Sequence, residues 1–359
     1  MSFQAISETI HRAFQSAGLD PNSASLKSVT DTIHKALVRA GLATAAEAPA
    51  AKATSPDESR VGKVNKVAKP AKAAAHGVGE FLSLRHAGPA GARSYKLYVP
   101  ASYAGKAMPL IVMLHGCQQN PDDFAAGTRM NEIAERDGFL VAYPAQSTNA
   151  NGSNCWNWYQ SRDQARTGGE PEIIVGIVAD IAASYAVDKR RIFVAGMSAG
   201  AAMAVILGTT HADLFAAVGA HSGLPYGAAS DVASAFAAMH GGGKGQPESG
   251  PVVPIIVFHG DQDRTVVDSN ADAIVRSAVA GFESKGRRLD EMQEVVPGAA
   301  DSRAYTSTIY AARDGRPLVE HWALKGGTHA WSGGSPDGSF TDAKGPDASA
   351  EMVRFFMNL

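Results

Sequence analysis

No stretch of the chain approaches the roughly 18 consecutive apolar residues that a membrane-spanning helix requires. The opening residues, Met1-Ser-Phe-Gln-Ala-Ile-Ser-Glu-Thr-Ile10, lack a basic segment followed by an apolar core, so no signal peptide is expected. An excess of one charge is also missing. Lysine and arginine number 33 against 35 aspartates and glutamates, a formal net charge of −2, which gives no electrostatic basis for nucleic acid or an anionic membrane as partner. Cysteine is scarce: Cys117 and Cys155 are the only two. That is too few for a disulfide scaffold and too widely spaced for a zinc knuckle, which leaves a single bridge open. What is present, 45% hydrophobic and 19% charged residues over a length of 359, describes a globular protein with room for one large α/β domain and additional segments.

Composition divides the chain into three parts. Residues 1–42 hold a duplication, in which Ile6-Ser-Glu-Thr-Ile-His-Arg-Ala-Phe-Gln-Ser-Ala-Gly-Leu19 is echoed by Val29-Thr-Asp-Thr-Ile-His-Lys-Ala-Leu-Val-Arg-Ala-Gly-Leu42. Apolar residues recur at helical spacing in both copies, and each copy closes on Ala-Gly-Leu, the pattern of a helix C-terminus with a glycine cap. A helical hairpin turned at Asp20-Pro21-Asn22 is expected, able to self-associate through residues 6–42. His11 and His34 have no further ligand beside them and are read as solvated. Residues 43–78 are rich in Ala, Lys and Pro without apolar periodicity, as in a flexible linker. Residues 79–359 then alternate strands and helices. The expected strands are Glu80–Arg85 and Tyr95–Val99 as an antiparallel hairpin, then Leu110–Leu114, Phe139–Tyr143, Arg191–Ala195, a strand led into by 214–219, Val252–Phe258 and Leu318–Leu324. Helices are expected over 122–137, 171–186, 269–284 and 348–357. This order predicts an α/β fold with a doubly wound, mostly parallel sheet.

The chemistry centres on Gly196-Met-Ser-Ala-Gly200, between the β-formers Ile192, Phe193 and Val194 and an alanine-rich helical run. A G-x-S-x-G segment in a strand–turn–helix setting is a nucleophile elbow: it lifts the Ser198 hydroxyl over the sheet end and aims a helix N-terminus at the same point. A serine hydroxyl needs a base within reach and a third group to orient that base. Two later segments supply them. Val257-Phe-His-Gly-Asp-Gln-Asp263 leaves a buried strand and presents Asp263 as the acid, with Asp261 shaping the turn and Asp268 near a helix N-cap. Lys325-Gly-Gly-Thr-His329 presents His329 as the base, whereas His211, placed at a helix end, His240, in a glycine-rich loop, and His321, in a strand, are read as surface or core histidines. An oxyanion needs fixed N–H donors. Ala199 follows the nucleophile and offers one. The loop His115-Gly-Cys-Gln-Gln-Asn120 offers the other at Cys117, or failing that at Gln118, with His115 bracing the loop.

Six motifs in this order resemble those of the polyhydroxybutyrate depolymerase family of esterases, which is similar to feruloyl and acetylxylan esterases. They are His115-Gly-Cys-Gln-Gln, Cys155-Trp-Asn-Trp158, Gly196-Met-Ser-Ala-Gly200, Gly223-Leu-Pro-Tyr-Gly227, His259-Gly-Asp-Gln-Asp263 and His329-Ala-Trp-Ser-Gly-Gly334. The resemblance covers residues 80 to 359. It implies an α/β-hydrolase fold, no cofactor or metal, and hydrolysis of carboxylic esters through an acyl-enzyme. The substrate would be a poly- or oligo-hydroxyalkanoate or a related short-chain or aryl ester; a carbohydrate esterase or an acyltransferase on the same fold is the alternative. It further implies a Cys117–Cys155 disulfide and an extracellular location, although the lack of a visible signal peptide keeps the cytoplasm as the alternative. Trp156, Trp158 and Trp331, with Gln118, are the residues expected to line an apolar substrate cleft.

Overall fold

The computed structural model describes residues 79–243, 245 and 252–359. The duplicated segment 6–42 and the linker 43–78 lie outside the described residues. The described chain runs β1 (Glu80–Gly88), β2 (Gly91–Val99), β3 (Met108–Leu114), α1 (Pro121–Thr128), α2 (Met130–Asp137), β4 (Leu140–Pro144) and α3 (Gly169–Ser184). It continues through β5 (Val187–Met197), α4 (Ala199–Thr210), β6 (Ala217–His221), α5 (Val232–Gly241), β7 (Ile255–Gly260) and α6 (Ser269–Ser284). The last elements are β8 (Leu289–Val296), β9 (Tyr305–Ala312), β10 (Pro317–Leu324), two short strands β11 (Trp331–Ser332) and β12 (Thr341–Asp342), and α7 (Ala348–Met357).

Ten strands form one sheet in the order β1-β2-β4-β3-β5-β6-β7-β10-β9-β8. From β4 to β10 every neighbouring pair is parallel. Each edge is finished by antiparallel pairing, β1 with β2 and β2 with β4 on one side, β10 with β9 and β9 with β8 on the other. The central strands read as unbroken apolar runs because both faces are covered. Along β3, Leu110, Val112 and Leu114 enter one core, with residues of α3, α4 and α6. Ile111 and Met113 enter the other, with residues of α1, α2 and α7. Phe193 of β5 stacks on Phe356 of α7 at 4.8 Å between centroids. From Ala199 to Gly208 every residue of α4 is buried, which is why its apolar residues go all the way round.

Three features depart from the sequence-based expectation. The helix expected over 122–137 is two helices, broken where Arg129 adopts left-handed geometry (φ 53°) and its N–H closes back on Ala125 O. The Arg129 side chain ties that break to Gly333 O at 3.1 Å and to Asp347 at 3.0 Å. The pair β8–β9 was not anticipated: Leu-Asp-Glu-Met-Gln-Glu-Val-Val is exposed on both faces of an outermost strand and so shows no apolar alternation. Helix α5 was also missed, and His240 falls within it instead of in a loop; its start is set by a capping box between Asp231 and Ser234.

Candidate active site

Strand β5 delivers Ser198 at the carboxyl end of the parallel strands, and α4 starts one residue later. Ser198 holds φ 56° and ψ −120°, a conformation L-residues rarely adopt. Such strain costs of order 1–3 kcal/mol and persists only where the surroundings enforce it. The flanking glycines show what enforces it. A Cβ on Gly200 would lie 2.0 Å from Leu114 O and 2.6 Å from His115 O. One on Gly196 would lie 2.5 Å from the Gly200 carbonyl. Strand, turn and helix thus close on each other at a distance only glycine permits.

The segment after β7 and the segment after β10 leave neighbouring parallel strands, with Gly260 opposite Leu324. They are bonded together: Asp261 N–H donates to Leu324 O at 3.1 Å, and Gln262 N–H to Gly327 O at 2.9 Å. Of the two aspartates, Asp261 shapes the turn, accepting from Gly326 N–H at 2.7 Å and pairing with Lys325 at 2.8 Å. Asp263 is the one that meets the histidine, with Oδ2 2.6 Å from His329 Nδ1. Its other oxygen accepts the N–H groups of Thr265 and Val266, each at 2.9 Å. Burial would raise the pKa of this carboxyl, but hydrogen bonds from His259 and His329, the charge of His329 and the Val266 N–H together hold it well below the usual carboxylate range. Asp263 is therefore ionised, and His329 is left with Nε2 for a reacting group.

His259 had no separate role in the sequence reading. Its Nε2 faces the Val266 carbonyl at 2.8 Å, which requires that nitrogen to carry the proton, and lies 3.5 Å from Asp263 Oδ2. His221 at the end of β6 joins the remaining parts. Its carbonyl accepts Ser198 N–H at 2.9 Å, and its ring Nε2 accepts the N–H of Ser332, three residues past His329, at 3.0 Å. Complete burial, with His259 and His329 nearby, pushes the His221 pKa down to about 3, so the ring is a neutral acceptor. The serine turn and the histidine loop are in this way held on one rim by a single residue.

The loop after β3 closes the third side. A Cβ on Gly116 would stand 3.6 Å from Ser198 Cβ, so this loop adjoins the serine. The N–H of Ala199 is at the first position of α4, where no intrahelical acceptor exists. Among the described residues no acceptor meets the N–H of Cys117 either. Gln118 differs: its N–H donates to Ser153 O at 2.7 Å, which removes it as the alternative oxyanion donor, while its side chain stays exposed. Cys117 and Cys155 are joined by a disulfide. Gln119 fixes the same loop by accepting Gly116 N–H at 2.9 Å, and His115 accepts Gln146 N–H at 3.1 Å with its pKa lowered by burial. Glu170, also unforeseen, anchors the far end of the bridge. It accepts the Asn157 N–H at 2.7 Å and the Asn157 side-chain amide at 2.8 Å, and also bonds Gln146. Burial raises its pKa, and these donors partly offset the rise.

Two of the three tryptophans expected to line the cleft, Trp156 and Trp331, do not do so. Trp156 and Trp331 are fully buried and their N–H groups are taken, by His115 O at 3.1 Å and Ser349 Oγ at 3.1 Å respectively. Trp331 lies edge-on to Phe124 and stacks on His221. Trp158 is 6% exposed and packs in the core with Tyr159. Trp156 and Trp331, set in a strand–helix core with their donors satisfied, present no face to a ligand. Among the described residues, no cluster of His, Cys, Asp or Glu is arranged to hold a metal ion, and no helix is long and apolar enough to cross a membrane.

A parallel sheet covered on both faces, with a strained serine elbow and an Asp–His pair on the loops after later strands, defines the α/β-hydrolase class. The fold superposes on an acetyl xylan esterase from Aspergillus awamori with a TM-score of 0.61 and 19% identity, covering 78% of this chain and 100% of that one. The Esterase PHB depolymerase pattern matches residues 93–296, and the chain belongs to that family. Poly(3-hydroxyalkanoate) depolymerase C of Paucimonas lemoignei is 29% identical over 245 residues, 65% of this chain and 57% of its own length. Feruloyl esterase B of Neurospora crassa is 34% identical over 139 residues, 38% of this chain and 46% of its own. The chain thus spans about half the length of these curated relatives.

Proposed function

We propose that the protein hydrolyses carboxylic esters through an acyl-enzyme on Ser198. His329 takes the hydroxyl proton as Ser198 attacks the ester carbonyl. The N–H groups of Ala199 and Cys117 hold the resulting oxyanion, and His329 returns the proton to the departing alcohol. Water then enters by the same route and releases the acid. Asp263 stays ionised throughout, fixing the tautomer of His329 and stabilising its cationic form. The observation that carries this reading is the 2.6 Å contact between Asp263 and His329, made on loops bonded to the rim that holds a strained serine.

The substrate class that fits best is a hydroxyalkanoate oligomer or polymer, or a related short-chain or aryl ester, because the relatives named above include a poly(3-hydroxyalkanoate) depolymerase and a feruloyl esterase. The Cys117–Cys155 bridge supports work in an oxidising, extracellular setting. Hydrolysis of p-nitrophenyl butyrate and hydroxybutyrate oligomers by the unmodified chain, with activity lost in Ser198→Ala, is the expected result. Full activity in that variant would refute the reading.

A further inference from the structure

With Trp156 and Trp331 closed in the core, the apolar part of an ester needs further side chains near the reacting groups. Among the described residues, four large apolar side chains are exposed: Val232, Met292, Val295 and Phe340. Met292 and Val295 lie on β8, at the edge of the sheet and separated from β7 by β9 and β10. Val232 opens α5, whose start is set by its own capping box. Phe340 is placed differently. Its carbonyl accepts the N–H of Trp331, two residues past His329, at 2.7 Å. The residue before it, Ser339, is clamped by Asp123 through its N–H at 2.9 Å and its hydroxyl at 2.7 Å. The Ser339 carbonyl accepts the Gln119 side-chain amide at 3.1 Å, and Gln119 in turn holds the N–H of Gly116, next to Cys117. Phe340 is therefore anchored to the histidine loop on one side and to the proposed oxyanion loop on the other.

Its conformation is costly and its exposure high. Phe340 has φ 54°, in the left-handed region that bulky side chains rarely enter, and is 44% exposed. An exposed phenyl on such a backbone does little for the fold, since asparagine or glycine would take the same geometry with less strain. Strain unaccompanied by burial is the pattern of a residue kept for contact with a ligand.

We propose that Phe340 is a substrate-contact residue whose ring packs on the apolar portion of the ester while the carbonyl lies between Ser198 and the N–H groups of Ala199 and Cys117. This rests on the ester-hydrolase reading above. Two series test it: p-nitrophenyl esters from acetate to octanoate, which vary the acyl chain, and alkyl acetates from methyl to hexyl, which vary the alcohol. In Phe340→Ala, kcat/KM falls about three- to tenfold for the long members of one series and stays near wild type for the shortest. The series that responds identifies which side of the ester the ring touches. Phe340→Leu recovers part of the loss. Phe340→Asn melts no lower than wild type yet shows the same length-dependent loss, which separates contact from a merely structural role. If the wild type is active and both Ala and Asn variants keep its chain-length profile in both series, the inference is overturned and the ester-hydrolase reading survives. If the wild type hydrolyses none of these esters, both fall.

Discussion

Asp263 takes three close hydrogen bonds on its two oxygens and stands beside His259 as well. Replacing it with asparagine keeps the shape, removes the charge and allows the amide to favour the wrong tautomer of His329. The expected outcome for Asp263→Asn is a loss in kcat on the order of a thousandfold or more, with KM little changed, read from steady-state kinetics. The same carboxylate has a folded pKa below its unfolded value of about 3.9. It therefore adds stability above that pH, and the contribution fades as pH falls towards the folded value. His221 has the opposite charge type but the same direction in pH. Its folded pKa of about 3 is below the ordinary histidine value, so the unfolded chain binds more protons between about 6.5 and 3. Stability is full above pH 6.5 and declines on acidification, by at most about 1.4 kcal/mol per pH unit from this one group. Denaturant midpoints measured from pH 7 to 4 should show a shallower decline in His221→Gln than in wild type. An unchanged slope would mean that His221 is not the group responsible.

At the level of elements, the elbow depends on Gly200 more than on any apolar contact. A methyl placed 2.0 Å from Leu114 O cannot be absorbed by side-chain rotation, because the clash is with backbone. Gly200→Ala should lose about 3 kcal/mol or fail to fold, as judged by thermal denaturation. The loop after β3 is held by the Cys117–Cys155 bridge across a separation of 38 residues, for which loop-closure entropy gives about 4 kcal/mol. Cys155→Ala keeps the Cys117 N–H itself but frees the loop that positions it, so a lower denaturant midpoint and a lower kcat are expected together. The sequence made these elements legible where one local rule decided them. The strand–turn–helix around Ser198 and the loops carrying Asp263 and His329 are marked by glycines and apolar runs. Helix 122–137 was misjudged because nothing local announces a left-handed arginine; the Arg129 contacts to Gly333 and Asp347 come from distant sequence. The roles of His221, His259 and Glu170 were hidden for the same reason, since their partners meet only in the folded chain. Trp156 and Trp331 fall in the core and not in a cleft, a difference the sequence hides because an aromatic beside a motif looks the same whether it faces a ligand or the core.

Taken together, the described residues form a run of six parallel strands that fixes one chemical rim, with antiparallel pairs closing both edges of the sheet. The parallel centre was readable because its strands are buried on both faces. The β8–β9 edge was not, because its outer strand β8 is exposed on both faces and carries Asp290, Glu291 and Glu294. Ser198, His329 and Asp263 come from the segments following β5, β10 and β7 and are proposed to act as one unit. A fluorophosphonate probe followed by peptide mapping tests it most directly. One covalent adduct on Ser198, lost in Ser198→Ala and strongly slowed in His329→Ala, is the predicted result. No adduct on the folded protein, or an adduct on another serine, would contradict it.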